Sequence, residues 1–317
     1  MNDRYSKIEF LRKNKERYNS YIMGSSRMIS TSPDIIVKYM PTAKFYNLAT
    51  ILATPYEHLM HLKYFIKNGY PVKNLYIGLD IDFCFWVKMY KEKDLLLKLH
   101  PEVSNRNLIG YYWSYLSVYP KKDIRRKLKR NFSRKGSPIK MSGKDGGLTF
   151  GEEAKNANVF FEDPSRNGAT AIKNEVKEEN VEGLKELVAL CRQNDINLFL
   201  FITPHNRLLM DRFVVKDYLT FFRKLSEITS FWDFSGYNSI TMNNSNYLDA
   251  SHYKSSVSRM IAARIFNDKT WTVPEDFGVW VTKKSIDSHL ENLKMIIRKN
   301  REGERSLNPR TQTQAEE

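Results

Sequence analysis

Two stretches of this 317-residue chain carry residue types that can do nucleophilic chemistry. The first is Tyr21-Ile22-Met23-Gly24-Ser25-Ser26-Arg27. A β-rich run that breaks at glycine and then presents small hydroxyls can expose a serine at the start of a helix. Backbone N–H groups there can stabilise an oxyanion. The second is Tyr247-Leu248-Asp249-Ala250-Ser251-His252-Tyr253. A serine nucleophile needs a base, and the base needs a carboxylate to hold its tautomer. An aspartate three residues before a histidine can supply both from one rigid turn. Each stretch alone has a plainer reading: a Gly-Ser-Ser turn or cap, and an N-cap beside a surface histidine. The surroundings of Ser26 are not GxSxG, so the usual nucleophile elbow is absent. A serine after the first strand combined with Asp-x-x-His before the last helix is a more specific arrangement than either part.

The elements that must position these groups follow from periodicity. Residues 5–17 predict a basic amphipathic helix, Tyr18–Met23 a strand, Asp34–Met40 a helix after the Ser32-Pro33 start, and Lys44–Leu48 a second strand. Pro55–Asn68 predicts a helix stopped by Gly69, and Asn74–Leu79 a third strand. Residues 83–119 are aromatic-rich and predict helices packed on the core. Glu179–Asn194 predicts a helix with Val181, Leu184, Leu187 and Leu190 inward. A buried strand over Ile196–Ile202, a helix over Asp211–Ile228, a strand over Phe231–Phe234 and a helix over Ser255–Phe266 follow. Strands alternating with helices imply an α/β fold whose parallel sheet is covered on both faces. Reactive groups in such sheets sit at the carboxyl ends of strands. These ends are Gly24–Arg27, Ala49-Thr50, Gly78–Asp80 and Thr203–His205.

With these residues in place, the chain resembles the SGNH/GDSL hydrolase superfamily, in particular its bacterial cell-envelope branch that modifies polysaccharides and teichoic acids. The resemblance covers roughly residues 18–267. It rests on Ile22–Arg27, on Leu75-Tyr76-Ile77-Gly78-Leu79-Asp80, on Phe201-Ile202-Thr203-Pro204 and on Asp249-x-x-His252. It implies a three-layer α/β/α sandwich with a central parallel sheet, flavodoxin-like in architecture. It implies Ser26 as nucleophile, His252 as base and Asp249 as its orienter. The implied reactions are ester hydrolysis and acyl transfer, often of acetyl groups on sugars, with no metal and no cofactor. Departures from the family pattern are informative. Ser25 stands where the family has Asp, and Ala49 and Thr50 stand where it has an oxyanion-hole glycine, though a backbone N–H can serve from either. Asp80 stands where the family ends its third strand in Gly-x-Asn. An ionised Asp has no proton to donate, and loss of one oxyanion donor typically costs about 100–1,000-fold in rate. Activity would survive if burial keeps Asp80 protonated, or if Asp80 pairs with Arg27 and another donor takes over. Arg27 can instead meet an acidic substrate. His205 either contacts substrate or is a loop histidine with no role.

The implied function is that of a serine esterase or O-acyltransferase acting on an acylated envelope glycan. The alternative is a catalytically weak or inactive member of the same fold that binds an anionic polysaccharide. Charge bears on that choice. The chain carries 51 Lys+Arg and 36 Asp+Glu, a net +15. From Lys121 to Lys144 there are eleven Lys/Arg and a single Asp, so two thirds of the excess lies in 24 residues. Such a run attracts phosphates, acidic glycans or anionic headgroups. It lacks the regular aromatics of a single-strand nucleic-acid groove, and its glycines do not make a phosphate loop, so nucleic acid is disfavoured as a partner. Hydrophobic residues make up 41%, which excludes wholesale disorder. Cys84 and Cys191 cannot form a disulfide scaffold and predict buried thiols. His58 and His61 do not form HExxH and read as ordinary helix residues. No apolar stretch reaches the roughly 18 residues of a membrane span, and the first thirty residues lack the apolar segment of a signal peptide. The resemblance implies an envelope location; a native start at Met1 would imply the cytoplasm. The expected organisation is a helix over 1–17, an α/β domain over 18–270 with a basic insertion at 120–170, a helical extension over 271–299 and a disordered tail over 300–317.

Overall fold

The structure is a computed structural model that describes residues 2–82, 97–118, 139–141, 148–150 and 176–307. It is an α/β fold with a six-stranded, mostly parallel sheet flanked by helices, in the manner of a three-layer α/β/α sandwich. The strands are β1 (Ser20–Gly24), β2 (Phe45–Asn47), β3 (Asn74–Leu79), β6 (Asn197–Ile202), β7 (Phe231–Asp233) and β8 (Val279–Val281), in spatial order β2-β1-β3-β6-β7-β8. β1 pairs with β2 and β6 with β7 in parallel, whereas β8 runs antiparallel to β7. β4 (Ile139–Met141) and β5 (Leu148–Phe150) form a separate antiparallel ribbon. β1 and β3 are buried along their whole length, as strands covered on both faces must be.

The chain divides into two compact units. Unit one comprises Met1–Ile77, Val87–Lys155 and Lys177–Leu198; unit two comprises Gly78–Trp86, Asn156–Val176 and Phe199–Glu317. In unit one, α1 (Asp3–Lys13) begins at Asn2, whose side chain accepts from the N–H groups of Arg4 and Tyr5. Short helices α2 (Ser26–Ile29) and α3 (Asp34–Val37) follow β1, and α4 (Pro55–Lys67) starts with proline at its first position. α5 (Leu108–Val118) and α6 (Glu178–Gln193) complete the unit. α4 and α6 pack closely at Gly183, where an added Cβ would lie 2.9 Å from the Tyr56 Cα. Unit two adds α7 (Arg207–Met210), α8 (Val215–Ile228), α9 (Ser255–Ile265) and α10 (Ile286–Leu307) to β7 and β8.

Several sequence expectations are corrected. α3 ends at Val37, not Met40. The expected helix over Asp211–Ile228 begins only at Val215, because Asn206 caps a separate turn, α7, by accepting from the Leu208 N–H, and the chain is extended at Val214. Leu190 is half-buried, and the inner positions of α6 are Val181, Leu184, Leu187, Val188 and Cys191. At about 100° per residue, Leu190 lies opposite Val181 on the helix. Burial pushes the Cys191 thiol up to about 12. The C-terminal extension holds strand β8 as well as a helix, and α10 continues to Leu307 through residues expected to be disordered. The basic run outside 139–141, residues 83–96 with Cys84 and their aromatics, and residues 308–317 lie outside the described residues. No helix among the described residues is long and apolar enough to cross a membrane.

Gly183→Val should lower unfolding free energy by about 1–3 kcal/mol, because the clash is with backbone; urea titration read by circular dichroism measures it.

Candidate functional site

The turn that carries Ser26 is built from buried polar groups of unit one. β1 ends at Gly24 with φ 146°, a conformation that favours glycine. Ser25 then caps α2, its hydroxyl accepting from the Arg27 N–H at 3.2 Å. Ser26 is the first helical residue and is partly exposed, while Arg27 is buried. Asn47, at the end of β2, holds this turn from behind. Its side-chain amide donates to the carbonyls of Met28 (2.8 Å), Ile29 (3.2 Å) and Thr31 (2.9 Å). Its own backbone carbonyl, with that of Ala49, accepts from the Lys7 ammonium at 2.9 and 2.7 Å. Lys7 is 1% exposed, so these carbonyls offset part of the desolvation of a buried charge. Arg4 pairs with Glu57, two N–O contacts of 2.9 Å, and donates to the Ile51 carbonyl. Thr50 donates its hydroxyl to the same Glu57. The loop after β2 is thereby fixed by α1 and α4.

That rigidity bears on the expected oxyanion donors. The Ala49 N–H donates to the Asn47 side-chain oxygen at 3.0 Å, and the Thr50 N–H donates to the Gly24 carbonyl at 3.1 Å. Both are engaged within the fold, so neither is directed at an oxyanion in this arrangement.

In unit two, Asp249 and His252 come together as their spacing predicts. The Asp249 Oδ1 accepts from the N–H groups of Ser251 (2.7 Å) and His252 (2.8 Å). The His252 Nδ1 lies 3.0 and 2.9 Å from the two carboxylate oxygens. A carboxylate accepts, so Nδ1 carries the proton and the lone pair of the neutral ring sits on Nε2. Partial burial pushes the Asp249 carboxyl up, but the hydrogen bonds from His252 and the two backbone N–H groups outweigh it and hold the group below its ordinary range. The loop is closed by a bridge between Tyr247 and Tyr253, both fully buried, and by a 2.7 Å bond from the Leu248 N–H to the His252 carbonyl. His252 is 28% exposed.

A third cluster lies at the ends of β3 and β6. Asp80, buried, accepts from the Thr203 hydroxyl. His205 is also fully buried: its Nδ1 donates to the Thr203 carbonyl at 3.1 Å, and its Nε2 is 3.3 Å from Asp82. Asp80 therefore acts as an acceptor that ties two strand ends, and His205 is held by polar partners inside the fold.

Sequence reasoning missed Lys7, Asn47, Glu57 and Asp82. It also missed a buried knot in which Asp233 accepts from Ser235 (N–H at 2.9 Å, hydroxyl at 2.6 Å) and contacts the His289 Nε2 at 2.8 Å. An asparagine closing an otherwise apolar strand, as in Phe45-Tyr46-Asn47, is the one local signal among them. A scan of protein-family models finds none that matches this chain, and no curated protein is significantly similar to it in sequence.

Two outcomes are expected. Asn47→Leu strips the α2 carbonyls of their donor and should lower stability by about 2–4 kcal/mol, measured by urea titration. The second concerns pH. His58 and His61 on α4 are buried, and burial pushes them down to about 4 and about 3. The unfolded chain takes up their protons below about 6.5 while the folded chain does not. Stability is therefore lost as pH falls from about 6.5 towards 4, each histidine adding up to about 1.4 kcal/mol per pH unit. Urea midpoints between pH 7.5 and 4.5 should fall steeply, and a variant with glutamine at both positions should show a shallower slope.

Proposed function

We propose that this chain is a serine esterase or O-acyltransferase of SGNH type, acting on acyl esters, commonly acetyl, of a bacterial envelope glycan. The Asp249–His252 turn carries this reading. A carboxylate that grips Nδ1 and is itself held by two backbone N–H groups presets the tautomer a general base requires. In the proposed reaction the Ser26 hydroxyl attacks the acyl carbon while His252 takes its proton at Nε2. His252 then returns the proton to the departing sugar hydroxyl, leaving an acyl-serine. Water or a second sugar hydroxyl, deprotonated by His252, releases the acyl group. With Ala49, Thr50 and Asp80 otherwise engaged, the proposal assigns the backbone N–H of Ser26 as an oxyanion donor.

One observation favours a second reading. The engagement of those same three groups would suit a catalytically weak or inactive fold that binds anionic polysaccharide through Lys121–Lys144.

A fluorophosphonate probe separates the two. On the first reading it labels the protein, and labelling vanishes in Ser26→Ala and His252→Ala. Asp249→Asn should cut turnover of an acetyl ester by about 10³–10⁴-fold with the fold intact. Labelling that persists in Ser26→Ala sinks the nucleophile assignment. A folded protein that takes no label yet retains polyanion binding supports the second reading.

A further inference from the structure

The outer edge of the sheet carries an aromatic feature that the proposed chemistry does not use. Trp232 on β7 and Trp280 on β8 are direct cross-strand partners, so their side chains lie on one face of the sheet. Their ring centroids are 5.5 Å apart at 54°. The opposite face of this pair is covered: Phe231 packs with Phe222 of α8, and Asp233 meets His289 of α10. On the tryptophan face a row of rings runs outward. Phe277 contacts Phe234 (4.9 Å), Phe234 stacks on Trp232 (6.2 Å, 22°), and Trp232 meets Trp280. Phe277 and Phe234 are fully buried, Trp232 is half-buried, and Trp280 is 49% exposed. A buried aromatic row thus ends in a half-exposed indole. Gly278 lets the chain approach this row: its φ is 95°, and an added Cβ would lie 2.5 Å from the Phe234 ring.

We propose that Trp280, backed by Trp232, is a binding subsite for a pyranose ring of an anionic glycan. The apolar C–H face of a pyranose packs on an indole as another ring would, and water leaves both surfaces. The indole is already held by its neighbours, so little side-chain freedom is lost on binding. Lys283 and Lys284, exposed in the turn that follows β8, supply positive charge for a carboxylate or phosphate on the sugar. The assignment takes from the preceding proposal only that the ligand is a glycan.

The test uses the full chain and two tetrasaccharides, oligogalacturonate and neutral maltotetraose, titrated by calorimetry. Oligogalacturonate should bind, and more weakly as salt rises. Trp280→Ala should weaken binding of both sugars at least about tenfold, since the indole supplies the apolar surface on which either ring packs. Trp280→Tyr should retain most of the affinity. Lys283→Ala with Lys284→Ala should weaken only the acidic sugar. The proposal is overturned if neither sugar binds, if Trp280→Ala binds as the unaltered protein does, or if Trp280→Ala only dissociates a dimer joined at β8. Fluorophosphonate labelling is measured on the same unaltered protein. Absent labelling with intact Trp280-dependent binding would therefore remove the esterase reading alone.

Discussion

A buried asparagine with a buried lysine behind it sets the geometry at the end of β1. Asn47 meets three carbonyls of the turn that follows Ser26, and Lys7 meets the carbonyls on either side of Leu48. Four residues of α2 are too few to hold themselves by helical hydrogen bonding. Their position is imposed by a side chain from the neighbouring strand. Each of these polar atoms would be costly to bury alone. The arrangement is therefore cooperative, and the loop after β2 has little freedom to swing a backbone N–H outward.

The Asp249–His252 turn is organised differently. The hydrogen bonds that Asp249 accepts come from Ser251 and His252, within three residues of it, and a tyrosine bridge seals the loop. Asp80 lies between these cases. It sits at the carboxyl end of a central strand, but the structure gives it the Thr203 hydroxyl as a donor. An ionised carboxylate accepts and cannot donate, and the fold employs the acceptor.

This contrast explains what the sequence discloses. β1, β3 and β6 were legible because strands in the middle of a covered sheet are near-continuous apolar runs, although β6, expected to be a buried strand, is buried only over Leu200–Ile202. The Asp249–His252 pair was legible because a three-residue spacing closes on itself. Lys7 and Asn47 are 40 residues apart, and Asp233 and His289 are 56 apart. No periodicity links such partners, and a lysine on an amphipathic helix reads as a solvated charge until the surface above it is known. β8 escaped notice because three residues, Val279-Trp280-Val281, are too short to show alternation and their pairing runs against the parallel sheet. The break between α7 and α8 was hidden because Asn206 offers a cap that resembles any polar loop residue.

The first helix has one more consequence. Arg4 and Lys7 project from it into the loop after β2, where they meet Glu57 and the carbonyls of Asn47, Ala49 and Ile51. A chain shortened to begin at Tyr18 would keep every strand yet expose or orphan all of these acceptors together. An expression boundary chosen by strand content alone would pass over the segment that keeps the Ser26 turn in place, and a fusion partner joined there would be attached directly to that scaffold.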